Sequence, residues 1–308
     1  MESQNQKAAG VIFTLFGGIF WGLSGACGQY LFEFKGITAN WLVPVRLVLA
    51  GSIMLVISLI NDSKTTLSIW KTRENVIDLV IYSIAGMTLC QYSYFVTIEN
   101  SNAGTATVLQ NIALVIILAF ICITEKRFPK TAELIAVICA IIGVFLIATH
   151  GDINHMVISK KALFFGMTTA IALVIYNLQP HNLLKQFNPF MIIAWSMVIG
   201  GTFLSAVFKP WTLTPVIDTK AAIAMLAILF FGTILSFTFY FQGVKLIGAS
   251  HASLYACIEP LVASLLSVFW LKVSFQPFDY AGFLLIIATI LILSAGSREK
   301  GKIATRQG

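Results

Sequence analysis

The chain has 308 residues, of which 58% are hydrophobic and only 11% charged, with a formal net charge of +7 and a mean hydropathy of +0.88. Soluble domains carry roughly 25% charge, so water could not solvate a surface built from this composition, and lipid must. The basic residues are scattered through short polar stretches rather than gathered in one patch, which argues for membrane orientation and against nucleic acid.

A membrane helix needs about 20 mostly apolar residues. In chain order the qualifying segments are Ala8–Leu31, Asn40–Ile60, Val76–Val96, Ala103–Ile123, Ala132–Thr149, Ala162–Leu178, Phe190–Phe208, Ala221–Phe241, Ala252–Leu271 and Tyr280–Ser294. These predict an all-α polytopic membrane protein with ten transmembrane helices. The apolar runs are continuous, whereas a membrane barrel would alternate with period two. The first segment is too long for a signal peptide and is preceded only by Lys7, so an uncleaved anchor is expected. Connecting stretches such as Glu33–Gly36, Asn61–Lys64 and Glu99–Asn102 are short and polar, and none is long enough to fold as a domain.

With the N-terminus cytoplasmic, thirteen Lys and Arg residues fall on the inner side and six on the outer, with Arg46 inside a segment. That bias predicts a multi-pass protein of the cytoplasmic membrane with both termini inside.

The sequence repeats itself. Gly86 and Tyr94 match Gly232 and Tyr240 at an offset of 146, as do Ala103 and Ala106 with Ala249 and Ala252. Pro129 then matches Pro277 at 148, and Ala50-Gly51 falls near Gly200-Gly201. The matches predict two five-helix repeats, residues 1–150 and 151–308, the second ending in a short basic tail. Five is odd, so the second copy is expected to run inverted, an architecture many secondary transporters use for alternating access.

Phe20-Trp-Gly-Leu-Ser24, Val45-Arg-Leu-Val48, Thr124-Glu-Lys-Arg-Phe-Pro129 and Ile258-Glu-Pro-Leu261 occur in an order and spacing that resembles the EamA-type branch of the drug/metabolite transporter superfamily. The resemblance covers essentially the whole chain. It implies a carrier, often an exporter, for amino acids and other small metabolites. The chain departs from the family pattern at Lys272-Val273, where a Gly-Glu pair is common, and at Gln110-Asn111-Ile112, where a proline often sits.

A charge at the bilayer centre costs at least ~2.5–3.5 kcal/mol, so the intramembrane polar residues are the candidate substrate pathway. Arg46 is read as attracting an anionic group such as a carboxylate, and Glu259 as binding an amine or a proton. The competing reading has them snorkel, pair with each other, or cap broken backbone. Pro260 removes a backbone donor and frees the carbonyl of Ala256. Gln91 and Tyr94, three apart, share a helix face. Trp21, Gln110, Asn111, Tyr176, Asn177, Tyr240 and Tyr255 complete the set, which suits a small zwitterion. Trp41, Trp211 and Trp270 fit an interface belt better, and Gly18-xxx-Gly22 fits close packing within the monomer better than a dimer contact.

Cys27, Cys90, Cys122, Cys139 and Cys257 read as small buried hydrophobes, and His150, His155, His181 and His251 lack metal-site spacing. No metal, cofactor or catalytic residue is expected, and no Walker loop or hydrolase motif occurs. The expected partners are a small-molecule substrate, the bilayer and a coupling proton, with the chain a monomer or homodimer. A channel or sensor is the alternative, and an intramembrane enzyme a more distant one.

Overall fold

The computed structural model describes residues 2–152, 157–256 and 258–304. His155 and Cys257 lie outside the described residues. Among those described, every regular element is helical.

Helix α1 (Glu2–Lys35) leads to α2 (Ala39–Ser68), and α3 (Arg73–Ile81) runs through a π-turn, π1 (Tyr82–Thr88), into α4 (Leu89–Glu99). Next come α5 (Ala103–Gln110), α6 (Ala113–Thr124), α7 (Thr131–Thr149), α8 (Lys160–Leu178), the short α9 (His181–Gln186) and α10 (Pro189–Phe208). The remainder is α11 (Thr219–Leu229), a second π-turn, π2 (Phe230–Leu235), then α12 (Ser236–Ile247), α13 (Ala249–Ala256), α14 (Ile258–Phe269) and α15 (Pro277–Ala304). Among the described residues, eight helical stretches are long and apolar enough to cross a membrane, and Ile258–Phe269 and Pro277–Leu293 are shorter apolar helices.

Large apolar side chains such as Ile12, Phe120, Ile141 and Ile223 stand exposed around the bundle. A soluble protein would hide a surface of that kind, and lipid satisfies it. The core lies between α1, α2, α4 and α10, where Leu31, Leu47, Met54, Phe95 and Met197 are buried together.

Three helices end or break where polar groups capture backbone. In α2 the chain kinks at Asp62 (φ −157°, ψ 87°), whose side chain accepts from Thr65 N at 3.0 Å. The turn between α6 and α7 is built by Arg127, whose two Nη atoms donate to Glu133 at 2.7 and 2.9 Å. The α5–α6 break follows from Asn111: its Nδ2 takes the Thr107 carbonyl at 2.7 Å, and the next backbone bonds tighten to Ile112 N→Leu109 O and Leu114 N→Asn111 O.

Close helix approach depends on glycines. A Cβ on Gly18 would lie 2.9 Å from the Ala256 carbonyl, and one on Gly22 2.9 Å from that of Glu259. The Gly18–Gly22 face therefore packs α1 against the α13–α14 junction within the chain. The most extensive helix contacts join α2 with α10, α7 with α15, α1 with α12 and α4 with α8. Helix α1 also packs on α13 and α14, α8 on α5 and α6, and α5 on α14.

Candidate substrate cavity

A cavity of about 430 Å³ lies inside the bundle. Of the eleven residues singled out from sequence, Trp21, Arg46, Gln91, Tyr94, Gln110, Asn111, Tyr176, Asn177, Tyr240 and Glu259 border it, and Tyr255 does not. Tyr255 and Glu259 share a face only on a continuous helix. Cys257, which lies between α13 (to Ala256) and α14 (from Ile258), is outside the described residues.

The walls come from both halves of the chain. Trp21 from α1 meets Phe237 and Tyr240 of α12, each at a ring separation of 5.2 Å. Tyr94 OH shares a hydrogen bond of 2.8 Å with Thr107 Oγ1, which fixes the ring against α5. On the facing side a Cβ on Gly86 would lie 3.2 Å from Tyr176 Cα, so the glycine brings α8 close to π1. The rings of Tyr176 and Tyr82 lie 5.3 Å apart. Asn177 Nδ2 donates to Leu173 O at 2.7 Å.

Arg46 and Glu259 are the two charged residues on the wall. Among the described residues no ion pair within 4 Å joins them, and none engages the Glu259 carboxylate. Arg46 is buried, and its Nε donates to Thr233 Oγ1 at 2.8 Å, with Nη2 3.5 Å from Gly232 O. Its guanidinium carbon sits 4.8 Å from the centre of the Phe95 ring, a cation–π arrangement. The reading in which Arg46 and Glu259 neutralise each other is thus not what the structure shows, nor does Arg46 snorkel to solvent. It reaches across to π2.

Sequence reasoning left out Tyr82, Cys90, Phe95 and Phe237, which also line the cavity. On an α-helix at ~100° per residue, Tyr82 and Gln91 would stand on opposite sides. The π-turn between them absorbs about one residue without advancing the face, which brings both to the same wall. Cys90 and Phe95 fall on the face already marked by Gln91 and Tyr94, so that signal was available.

The cavity reaches one end of the bundle. Pro180, Leu184 and Pro189 of the α8–α10 turn and Val244 in the last turns of α12 border it. That turn meets the start of the third span, where Gln179 Nε2 donates to Asp78 O at 3.1 Å. Tyr92, fourteen residues further along the same span, donates to Asn40 Oδ1 beside the end of α1. At ~1.5 Å per residue the two ends are about 20 Å apart.

Polar bonds gather at the far end, most of them joining the two halves of the chain. Lys35 Nζ pairs with Asp218 Oδ2 at 2.6 Å. Gln29 Oε1 accepts from Ala103 N and from Ser267 Oγ, both at 3.0 Å. His150 Nε2 lies 3.0 Å from Asp279 Oδ1.

The model of the EamA-like transporter family matches the chain twice, over residues 8–149 and 160–295. An uncharacterized inner membrane transporter, YicL, of Salmonella typhimurium (strain LT2) is 34% identical over 295 residues, covering 96% of this chain and 98% of its own length. Two uncharacterized transporters of Bacillus subtilis (strain 168) are also similar. YyaM is 27% identical over 81% of this chain and 82% of its own, and YwfM 24% over 94% and 95%. A solved crystal structure matches at a TM-score of 0.63 over 95% of this chain and 98% of that one, at 10% identity, a likeness of fold alone. The apolar helices and these relatives make the chain a multi-pass cell-membrane transporter, and it belongs to the EamA-like transporter family.

Proposed function

We propose that the chain is a secondary carrier that exports small amphoteric metabolites such as amino acids by alternating access between two inverted five-helix repeats. The observation that carries this reading is the central cavity, which holds a cation and an acid with no ion pair among the described residues and lies inward of bonds that join the halves.

The repeats, 1–150 and 151–308, are supported by the contacts. Exchanging the halves turns the α1–α12 contact into α8–α4, and α1 on α13–α14 into α8 on α5–α6, while α2–α10 and α7–α15 map onto themselves. The π-turns hold the matched glycines Gly86 and Gly232, and the α5–α6 break at Asn111 borders the cavity. Broken helices at the repeat interface are where such carriers bind substrate. With both termini cytoplasmic, as the Lys and Arg bias favours, the cavity faces the cytoplasm, which is the loading side for export. Glu259 is the proposed proton site and Arg46 the proposed carboxylate partner.

Uptake of amino acids into everted vesicles or proteoliposomes, with and without an imposed pH gradient, tests this. A carrier gives saturable, gradient-dependent flux. Flux that rises linearly with concentration indicates a channel, and chemical conversion of the substrate indicates an enzyme.

A further inference from the structure

Arg46 is held in an unusual way for a buried cation. Thr233 Oγ1 donates its own proton to Ile228 O at 2.9 Å, satisfying a carbonyl within the π-turn region. Its lone pairs are therefore left for Arg46 Nε at 2.8 Å. Gly232 O takes Nη2 at 3.5 Å, and Phe95 covers the guanidinium face at 4.8 Å. The third nitrogen, Nη1, is buried with no hydrogen-bond partner among the described residues. Ser24 Oγ is a second buried polar atom without a partner, and Ser24 packs so closely on Gly232 that a Cβ there would collide with it. Both orphaned groups therefore gather around Gly232, and both residues border the cavity.

Leaving a buried donor unmade costs about 1–3 kcal/mol, and more for a charged group. Both atoms are closed off in this state, so a ligand completes the arrangement once the Arg46 or Ser24 side chain turns toward the cavity that both residues border. With Nε and one Nη2 proton engaged, three of the five N–H bonds of the guanidinium remain, two of them on Nη1, and these can meet a carboxylate.

We infer that the cavity wall at the Phe230–Leu235 π-turn is a subsite for one carboxylate, with Arg46 Nη1 and Ser24 Oγ as its donors and Thr233 as the residue that aims Arg46. The inference rests on the carrier reading only in taking the cavity as the place where a ligand binds. It adds two residues, Ser24 and Thr233, and states that the acid end of the ligand is read at π2.

The test is binding of radiolabelled benzoate to the purified full-length chain in nanodiscs, with unlabelled benzoate, benzamide and sodium chloride as competitors. A hydrogen bond to a charged group is worth about tenfold or more in affinity, so benzamide should compete at least about tenfold less well than benzoate. Thr233→Val should weaken benzoate by about the same factor with little change for benzamide, since it removes the acceptor that fixes Arg46. Thr233→Ser restores the hydroxyl and should restore affinity, and Ser24→Ala should weaken benzoate in a chain whose melting temperature stays near that of the wild type. Equal competition by acid and amide overturns the subsite. So does an unchanged affinity in Thr233→Val, a Thr233→Ser as weak as Thr233→Val, or a folded wild type with no saturable benzoate binding. Displacement by chloride would assign the donors to a free halide and overturn the carboxylate. Because binding is read without flux, a chain that discriminates acid from amide but carries nothing across liposomes fails the carrier reading alone. A carrier that treats acids and amides alike fails the subsite alone.

Discussion

Lys35 Nζ lies 2.6 Å from Asp218 Oδ2, joining the last residue of α1 to the N-cap of α11 across 183 residues of sequence. The same carboxylate accepts from Ala221 N at 2.8 Å, so it caps α11 and ties the halves together. On the proposed mechanism this pair holds the far end of the cavity shut. Asp218→Asn should therefore make Cys90, on the cavity wall, react several-fold faster with an impermeant thiol reagent added from the Lys35 side. The measurement needs Cys27, Cys122, Cys139 and Cys257 replaced. Unchanged labelling would show that the pair does not hold the gate.

The pH dependence of that tie has a definite sign. The Lys35 ammonium, and then the Ala221 N–H, hold the Asp218 carboxyl below its ordinary range. A depressed folded value means the contribution is complete above the unfolded value of about 3.9 and is lost as pH falls through the folded value. Cys90 labelling from this side should then be flat in pH from about 5 to 8 once corrected for thiol ionisation. A corrected step inside that window would show that the Lys35–Asp218 pair alone does not set the labelling.

Glu259 makes the sharper test of coupling. Its carboxylate faces the cavity without an ion-pair partner within 4 Å among the described residues. Glu259→Gln keeps the shape and removes the proton site. Flux in proteoliposomes should persist down a substrate gradient and lose its response to an imposed pH gradient. A variant whose gradient response is intact rules Glu259 out as the coupling group.

Much of this was legible in the sequence, for identifiable reasons. Apolar runs give the helices because lipid leaves no other way to satisfy the backbone, and intramembrane polar residues mark a cavity because only a cavity or a partner keeps them there. Arg46, Gln91, Tyr94 and Glu259 all border the same space. The sequence did not show the two π-turns, because an inserted residue leaves the hydropathy of a helix unchanged while shifting its face. Tyr82 was lost that way, whereas Tyr255 is not among the residues that border the cavity. The partner of Arg46 was hidden for another reason. Thr233 is one of many membrane threonines, and only the fold places it opposite an arginine 187 residues away.

Gly200 illustrates a constraint that composition also conceals. A Cβ there would collide with the Thr88 hydroxyl, which is buried and has no hydrogen-bond partner. Gly200→Ala should cost about 1–3 kcal/mol through overpacking. Thr88→Ala in the same chain should recover much of that loss, giving a coupling of roughly 0.5–3 kcal/mol in a double-mutant cycle. Thermal unfolding in one detergent reads both. If the two changes simply add, α10 and π1 are not in the contact described.

Gln29 ties three helices and allows chemistry to be separated from packing. It is buried in α1, its Oε1 accepting from the first N–H of α5 and from Ser267 in α14. Ala103 N is one of the donors that a helix start leaves unpaired, and Ala103 is fully buried, so water cannot replace the amide oxygen. Gln29→Leu should destabilise the chain by about 1–3 kcal/mol and raise Cys90 labelling from the Lys35 side. Gln29→Asn keeps an uncharged amide acceptor, whereas a carboxylate here would face Glu33, to which Gln29 Nε2 donates at 3.3 Å, and Gln29→Asn should lose less on each measure. Equal losses in the two variants would mean that packing at this position, and not the capture of Ala103 and Ser267, holds α5 and α14 together.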